Sequence, residues 1–262
     1  MEIWQAVVLG LVQGIAEFLP ISSSGHLVVL QHVFGINEPG MTFDIIVHIG
    51  SLCAVFAVFW QDILRLIRNP FQKLTGMLII GTIPAVVAGY LLRDHMDFFR
   101  QPFYLAAAFV FTGVLLLIAD SIKHTNKTVK EMNALDAIII GCMQAVALPP
   151  GISRSGATIT GALVSGLTRE TAARFSFLLS IIAIMGAGTL EIWEMFQNGA
   201  EVYMGDIPPF MVGFVVAAVS GYFSIRLLLE LIKRASLKFF AYYVFVLAAL
   251  ILVDRFVFGL FF

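Results

Sequence analysis

Residues 10–25 read GLVQGIAEFLPISSSG and form the densest polar cluster in a very apolar chain. The cluster holds the carboxylate of Glu17, a proline, three consecutive serines and a glycine, and His26 follows directly. Polar side chains are costly in hydrocarbon unless a partner satisfies them. The stretch is therefore expected where protein or a water-filled cavity surrounds it, and it is the first candidate for a functional site.

The composition of the chain indicates a membrane protein. Of its 262 residues, 60% are hydrophobic and 13% are charged, and the mean hydropathy is +0.94. Soluble domains carry about 25% charged residues, so a soluble core is disfavoured. We expect one integral membrane domain, residues 1–262. The net charge of −1 gives no reason to expect nucleic acid as a partner.

Two regions are interrupted by proline and are too short to cross a bilayer as straight helices. The first has apolar pieces at 3–19 and 25–36, separated by Pro20, and the second has pieces at 135–148 and 155–167, separated by Pro149 and Pro150. At 1.5 Å per residue, such pieces fall short of a core about 30 Å thick. Each region is predicted to be a re-entrant helical hairpin. Six other stretches are long enough to span: 41–60, 74–92, 102–120, 170–191, 209–232 and 237–260.

The two interrupted regions resemble each other. Residues 141–156, GCMQAVALPPGISRSG, match residues 10–25 at seven of sixteen positions without a gap, at an offset of 131. Each half, 1–131 and 132–262, then holds one hairpin and three transmembrane helices. Because three is odd, the second hairpin enters from the opposite face. The predicted fold is an all-α polytopic membrane protein with an inverted-topology repeat, whose two broken loops meet near the midplane.

The basic residues predict the orientation. On this span count, one side of the membrane receives most of the Lys and Arg, and the side of the N-terminus receives Arg93, Arg100 and Arg255. The positive-inside rule makes the basic side cytoplasmic, so both termini are expected outside. The residues assigned to the basic side are Arg65, Arg68, Lys73, Lys123, Lys127, Lys130, Arg169, Arg174, Arg226, Lys233, Arg234 and Lys238. The loop at 192–206 is assigned to the outside and carries Glu194, Glu201 and Asp206.

The first loop combines an acid, hydroxyls and an imidazole. Gln13 and Glu17 are four residues apart and share a helix face. The Ser22-Ser23-Ser24-Gly25 run opens a helix, where exposed N–H groups can bind an anion, although serines there are also common helix caps. Beside the serines and Glu17, His26 can serve as a base or as a nucleophile. Each residue alone also fits a structural role.

The second loop adds a permanent cation. Ser153, Arg154, Ser155 and Gly156 again precede a helix, and Thr158 follows as a further hydrogen-bond donor. The guanidinium of Arg154 fits phosphate oxygens. An ion pair between Arg154 and Glu17 in the absence of substrate is the competing interpretation. It does not exclude a role in phosphate binding.

Together, the loops suit hydrolysis of a phosphate ester or anhydride. Carboxylate and phosphate oxygens also suit a hard divalent cation, Mg²⁺ or Ca²⁺, with Glu17 as the candidate protein ligand. Asp44 and His48, four residues apart on the next span, are placed near the cavity, but a purely structural pair is favoured there.

Two motifs in these loops resemble the undecaprenyl pyrophosphate phosphatase family of bacitracin-resistance proteins. The family's Glu/Gln-x-x-x-Glu pattern matches Gln13 and Glu17, and its Pro-x-Ser-Ser-[Ser/Thr]-Gly-His pattern matches residues 20–26. Its Pro-Gly-x-Ser-Arg-Ser-Gly-[Ala/Ser]-Thr motif matches residues 150–158 throughout. The general layout covers essentially the whole chain.

The resemblance implies a bacterial inner-membrane enzyme that hydrolyses undecaprenyl diphosphate to undecaprenyl phosphate, for reuse in cell-wall synthesis. It implies a divalent metal and a site open to the outer face. It also implies Ser23 as nucleophile, assistance from Glu17 and His26, and phosphate binding by Arg154. Many members carry Glu at the position of Gln13, which leaves Gln13 a polar supporting role.

Some alternatives stay open at this point. The residues do not decide between Ser23 and His26 as nucleophile. An inverted repeat with broken helices is also typical of secondary transporters, so a transporter or a polyprenyl-phosphate flippase is the second hypothesis. The expected partners are the lipid diphosphate and membrane lipids, and a homodimer is left open.

Overall fold

The computed structural model describes residues 1–36, 40–122, 126–197, 204–234 and 236–261, and these are almost entirely helical. Their only β-type pairing is an isolated bridge between Lys127 and Leu167. The helices are α1 (Ile3–Phe18), α2 (Ser23–Val33), α3 (Gly40–Val58), α4 (Trp60–Arg68), α5 (Lys73–Leu92), α6 (Met96–Phe99), α7 (Pro102–Ser121), α8 (Ala134–Val146), α9 (Arg154–Val164), α10 (Arg169–Gln197), α11 (Ile207–Arg234) and α12 (Lys238–Val253).

Five helical segments are long and apolar enough to cross a membrane, which confirms a multi-span membrane protein. They are Lys73–Leu92, Pro102–Ser121, Arg169–Leu190, Ile207–Lys233 and Lys238–Phe258. The predicted span at 41–60 coincides with α3, which turns by 79° into α4; the two helices pass the same test of length and apolarity together, and would make a sixth span if they are one. Because α4 places Asp62, Arg65 and Arg68 beside apolar residues, it is amphipathic and suits the membrane interface.

Both predicted helix breaks are confirmed. Helix α1 ends at Phe18, and Leu19 is extended with ψ 145°, because a following proline disfavours helical backbone in the residue before it. Helix α2 then begins at Ser23. In the second half, α8 ends at Val146 and α9 begins at Arg154. The four pieces have 16, 11, 13 and 11 residues, and each is shorter than the roughly 20 residues that a straight span needs.

Two pairs of helices pack closely through glycines. Helix α1 packs along α11, and α8 packs along α5. In the first pair Gly10 faces the backbone of Gly213, and in the second pair Gly141 faces the backbone of Gly81. In the sequence, Gly10 and Gly141 are 131 residues apart, and Gly81 and Gly213 are 132 residues apart. Absence of a side chain at these positions lets the helix backbones approach closely.

The two broken loops meet inside the bundle. The hydroxyl of Thr112 on α7 donates to the carbonyl of Gly151 at 2.9 Å and accepts from the Ser153 N–H at 3.0 Å. Ser155 Oγ donates to the carbonyl of Leu19 across the two breaks at 3.2 Å. The Thr112 bonds hold the second loop against α7, and the Ser155 bond ties it to the first loop, which brings the polar side chains of the two loops together.

Candidate active site

A cavity of about 210 Å³ lies between the two helix breaks. This is several times the roughly 30 Å³ that a water molecule occupies in the liquid, so a phosphate group has room there. Its other walls are apolar residues of α3, α5 and α10, among them Ile45, Ala85 and Ile184. The polar residues that line it are Glu17, Ser22, Ser23, Ser24, His48, Gln144, Ser153 and Arg154.

Glu17 is the centre of the polar contacts in the cavity. It is 7% exposed, and its Oε1 accepts from Arg154 Nη2 at 2.5 Å. Its Oε2 accepts from Gln13 Nε2 at 3.0 Å and from the hydroxyl of Ser23. The ion pair that the sequence allowed between Arg154 and Glu17 is therefore present. Burial of a carboxylate is tolerated here because a cation and two hydrogen-bond donors compensate it.

Ser23 is the serine of the first loop whose hydroxyl contacts a proton acceptor, the carboxylate of Glu17. Its hydroxyl donates directly to Glu17, and it lines the cavity together with Ser22 and Ser24. Because the hydrogen of this hydroxyl points to the carboxylate, the lone pairs of the oxygen remain free to attack. A hydroxyl beside a proton acceptor is the usual arrangement of an activated nucleophile. Among the described residues, neither neighbouring serine contacts a carboxylate: the hydroxyls of Ser22 and Ser24 lie 3.4 Å from each other.

Ser22 is the N-cap of α2 and adopts an unusual backbone conformation. Its side chain accepts from the Gly25 N–H at 3.4 Å. Its φ of 69° makes it the one non-glycine residue with positive φ in the described part of the chain. Such backbone costs free energy and persists where surrounding contacts enforce it. The strained residue lies directly before Ser23, so the contacts that hold Ser22 also orient the candidate nucleophile.

His26 provides those contacts and lies outside the group of cavity-lining residues. Its Nδ1 lies 2.6 Å from the carbonyl of Ser22, and since a carbonyl only accepts, Nδ1 carries the proton and donates. In the neutral ring, Nε2 then accepts from the Tyr243 hydroxyl at 2.8 Å. The Tyr243 ring is also parallel to the imidazole, with centroids 5.6 Å apart. Both ring nitrogens are therefore engaged away from Ser23.

His48 is the imidazole that faces the carboxylate. Its Nδ1 donates to the carbonyl of Asp44 at 2.6 Å, and its Nε2 lies 3.7 Å from Glu17 Oε2. The sequence placed Asp44 and His48 near the cavity but favoured a structural role for both. The structure puts the His48 ring in the cavity wall and the Asp44 side chain in a separate contact with Gln31 at 2.8 Å.

The second loop repeats the capping of the first. Ser153 is the N-cap of α9 and accepts from the Gly156 N–H at 3.0 Å, as Ser22 does with Gly25. Ser155 bonds to Ser153 and Leu19, and Thr158 bonds to the carbonyl of Arg154 and to Ser176 on α10. Of the residues predicted in this loop, Ser153 and Arg154 line the cavity, while Ser155, Gly156 and Thr158 hold the loop in place.

Gly25 allows the two breaks to touch. A methyl group there would meet the ring of Phe109 at 2.6 Å and Gly151 Cα at 2.8 Å. The glycine is therefore required for packing of the first loop against the second. Gln13 also has a supporting position behind the cavity, where its amide donates to Glu17 and lies 3.4 Å from Ser51 Oγ.

The residues of the cavity do not form a metal cage by themselves. Within the described residues, no group of three or more His, Cys, Asp or Glu side chains is close enough to hold an ion. Glu17 is the one carboxylate in the wall, and both its oxygens already accept hydrogen bonds. A divalent cation therefore needs most of its oxygen ligands from another molecule.

A protein-family model described as bacitracin resistance protein BacA matches residues 6–250. The chain belongs to this family. It is 44% identical to an undecaprenyl-diphosphatase of Carboxydothermus hydrogenoformans, over 97% of each chain. It is 46% identical to undecaprenyl-diphosphatase 4 of Bacillus thuringiensis subsp. konkukian, over 96% of this chain and 97% of that one. It is 42% identical to an undecaprenyl-diphosphatase of Rubrobacter xylanophilus, over 96% and 97%.

In this member of the BacA family, three groups near the site escaped the sequence-based assignment. His48 is four residues from Asp44, a spacing that fits a structural pair equally well. Gln144 matches Gln13 in the two aligned stretches, and the sequence gives no other indication of a role for it. Tyr243 is 217 residues from His26 along the chain, and nothing near it in sequence indicates the contact.

Proposed function

We propose that this chain hydrolyses undecaprenyl diphosphate to undecaprenyl phosphate and inorganic phosphate. The observation that supports this most is the contact of the Ser23 hydroxyl with Glu17 in the same cavity as Arg154. A nucleophile, a proton acceptor and a phosphate-binding cation are thus within one site. The near full-length relatives are named as diphosphatases, and neither they nor the site supports the transporter or flippase alternative.

The proposed reaction has two steps. Ser23 Oγ attacks the terminal phosphorus and its proton passes to Glu17, while the bond from that phosphorus to the bridging oxygen breaks. Undecaprenyl phosphate leaves with the bridging oxygen and its electron pair. Water then attacks the phosphoserine, the bond from phosphorus to Oγ breaks, and Oγ takes its proton back from Glu17. Inorganic phosphate is released.

Arg154 has two partners in this scheme. It pairs with Glu17 through one nitrogen, and its side chain is 21% exposed. A diphosphate offers it more negative charge than a single carboxylate does, and its fork-shaped guanidinium fits phosphate oxygens. When Arg154 turns to the phosphate, Glu17 Oε1 is released from the ion pair, while Oε2 still accepts the hydrogen bond of Ser23 and can take its proton.

His26 is proposed to hold the loop, and His48 to act at the reacting centre. His26 donates to the carbonyl of Ser22 and is engaged by Tyr243, so it fixes the strained residue before the nucleophile. His48 Nε2 faces Glu17 and can exchange a proton with it or with water. Ser22, Ser24 and Ser153 supply further hydroxyls to the head group.

Mg²⁺ or Ca²⁺ is proposed to enter with the diphosphate. Glu17 would be its carboxylate ligand from the protein, and the phosphate oxygens would supply much of the remaining shell. Such an ion offsets negative charge on the phosphate groups. We expect EDTA to abolish phosphate release and added Mg²⁺ or Ca²⁺ to restore it. Because the described residues form no cage alone, EDTA should leave the thermal unfolding temperature of the protein unchanged, and a large fall would contradict this arrangement.

The inverted repeat and the two re-entrant hairpins are also proposals. The amino group of Met1 lies 4.0 Å from Asp206 at the start of α11. Near the other end of the first hairpin, Gln31 contacts Asp44, which lies 3.8 Å from Arg100. In the second half, the backbone of Lys127 before α8 pairs with Gly166 and Thr168 after α9. These contacts support hairpins whose two ends lie on the same side.

The proposed orientation places both termini and the mouth of the site outside the bacterial inner membrane. Contacts among the basic side's residues support one common end: Lys73 donates to the carbonyl of Lys130, and Arg169 and Lys238 both lie within 4.0 Å of Asp120. Lys123 and Glu201 lie outside the described residues, as do the side chains of Glu194 and Arg234.

The proposal places the protein in recycling of the lipid carrier for cell-wall precursors and in bacitracin resistance. Its test is phosphate release from undecaprenyl diphosphate by purified protein in detergent with Mg²⁺ or Ca²⁺. Wild-type protein should turn over, and Glu17→Gln should fall by about 10²- to 10⁴-fold, the usual range for a lost proton acceptor. Glu230→Gln, on an exposed side chain at the far end of α11, is the control. No release by wild-type protein would overturn the proposal.

A further inference from the structure

Gln144 is a buried amide whose side chain has no partner in the described part of the protein. It is 2% exposed, and neither Nε2 nor Oε1 makes a hydrogen bond within that part. Buried amides are normally satisfied, because an unpaired one costs free energy. Gln144 also lines the cavity that contains Glu17, Ser23 and Arg154. An unsatisfied donor and acceptor are therefore available at the site itself.

The repeat explains why this amide is free. Gln144 corresponds to Gln13 at the offset of 131, and Gln13 donates to Glu17 one turn further along its helix. The residue one turn after Gln144 is Leu148, which offers no polar side chain. The second loop thus has the glutamine but not the carboxylate. The partner of Gln144 must come from outside its own helix.

We infer that Gln144 binds the diphosphate head group by donating from Nε2 to a phosphoryl oxygen, on the side of the cavity formed by the second hairpin. This rests on the proposed function and adds a specificity contact to it. Arg154 and Ser153, from the same hairpin, line the same wall. The amide supplies a fixed neutral donor beside the cation, and its Oε1 can accept from a water that solvates the head group.

Replacement of Gln144 is expected to lower activity without lowering the stability of the protein. Removal of a structural hydrogen bond lowers stability, whereas removal of an unpaired buried amide leaves stability equal or raises it. Gln144→Met keeps the length and much of the volume of the side chain but cannot hydrogen-bond. We expect its thermal unfolding temperature, without added ligand, to be no lower than that of wild-type protein.

Activity should fall in the same variant. A hydrogen bond to a charged group is worth roughly one to two factors of ten in an equilibrium constant, so kcat/KM for undecaprenyl diphosphate should fall about 10- to 100-fold. The dissociation constant for undecaprenyl methylenediphosphonate, whose bridging carbon prevents hydrolysis, should rise by a similar factor. Val146→Ala changes an exposed side chain on the same helix and should match wild-type protein in all three measurements.

The outcomes distinguish this inference from the proposed function. Wild-type kcat/KM and diphosphonate affinity in Gln144→Met would overturn the inference alone. A lower unfolding temperature together with lost activity would also overturn it, since the residue would then be structural. If wild-type protein releases no phosphate but binds the diphosphonate through Gln144, the hydrolytic function fails and the binding site stands. If wild-type protein neither releases phosphate nor binds the diphosphonate, both fail.

Discussion

At the scale of single residues, the choice of nucleophile depends on which side chains share the cavity. Ser23 reaches both the cavity and Glu17. His26 is only three residues later, yet its Nδ1 is committed to Ser22 and its Nε2 to Tyr243. For His26 to attack phosphorus, Nε2 would have to leave Tyr243 and the ring would have to enter the cavity. The geometry therefore favours Ser23, and His26 keeps the loop in shape.

We expect the trapped intermediate to be a phosphoserine. After brief reaction with substrate labelled in the terminal phosphate and an acid quench, label should stay on the protein, because phosphoserine survives acid and phosphohistidine does not. Ser23→Ala should abolish the label and lower kcat by at least about a thousand-fold, as expected for loss of a nucleophile. His26→Gln should still form the label, at a reduced rate. Acid-labile label that persists in Ser23→Ala would instead assign the attack to a histidine.

The residues that sequence could identify are those whose role follows from local spacing. Glu17, the serines and Arg154 stand beside proline breaks, so their position at a helix start follows from the chain itself. His48 and Tyr243 lie inside apolar helices, where a lone polar residue is usually structural. Their importance comes from tertiary packing that places α3 and α12 against the first loop, and short-range patterns carry no information about that.

At the scale of helices, the two halves use glycine for the same purpose. Gly10 against Gly213 and Gly141 against Gly81 bring each broken helix close to a full-length partner. Gly10 and Gly141 belong to the sequence match at an offset of 131, and their contact partners Gly213 and Gly81 are 132 residues apart. Glycines at these positions are the contact points of the two helix pairs.

Gly141→Ala should therefore destabilise the protein. A methyl group there would overlap the carbonyl oxygen of Gly81, and overpacking of this kind typically costs about 1–3 kcal/mol. Gly76→Ala is the matched control, because it lies on α5 with open space around it and should be neutral or slightly stabilising. Thermal unfolding in detergent measures both. Equal unfolding temperatures for Gly141→Ala and wild-type protein would show that α5 and α8 can separate without cost.

At the scale of the whole molecule, the sequence predicted the positions of the long helices well but missed the bend that follows α3. Proline positions and hydropathy determine where long helices can begin and end, and these followed from the chain. The bend between α3 and α4 could not be predicted in this way, because neither a glycine nor a proline lies next to Phe59. The charges of Asp62, Arg65 and Arg68 make α4 amphipathic and suited to the membrane interface, but they do not indicate at which residue the chain bends.

The proposed inverted topology makes a definite prediction for labelling from the two sides of the membrane. Four single-cysteine variants bracket the hairpins: Glu2→Cys and Val33→Cys for the first, Lys130→Cys and Glu170→Cys for the second. Each is made with Cys53 and Cys142 replaced by serine, and each must retain phosphate release as a control for folding.

Both residues of the first pair should react with an impermeant maleimide in intact cells whose outer layers admit the reagent, because that hairpin is expected to begin and end outside. Both residues of the second pair should react only after the membrane is permeabilised, because twelve basic residues assign that side to the cytoplasm. Opposite reactivity of Glu2→Cys and Val33→Cys would mean that α1 crosses the membrane without returning. Reaction of all four variants from one side would contradict the inversion while leaving the chemistry of Ser23 and Glu17 intact.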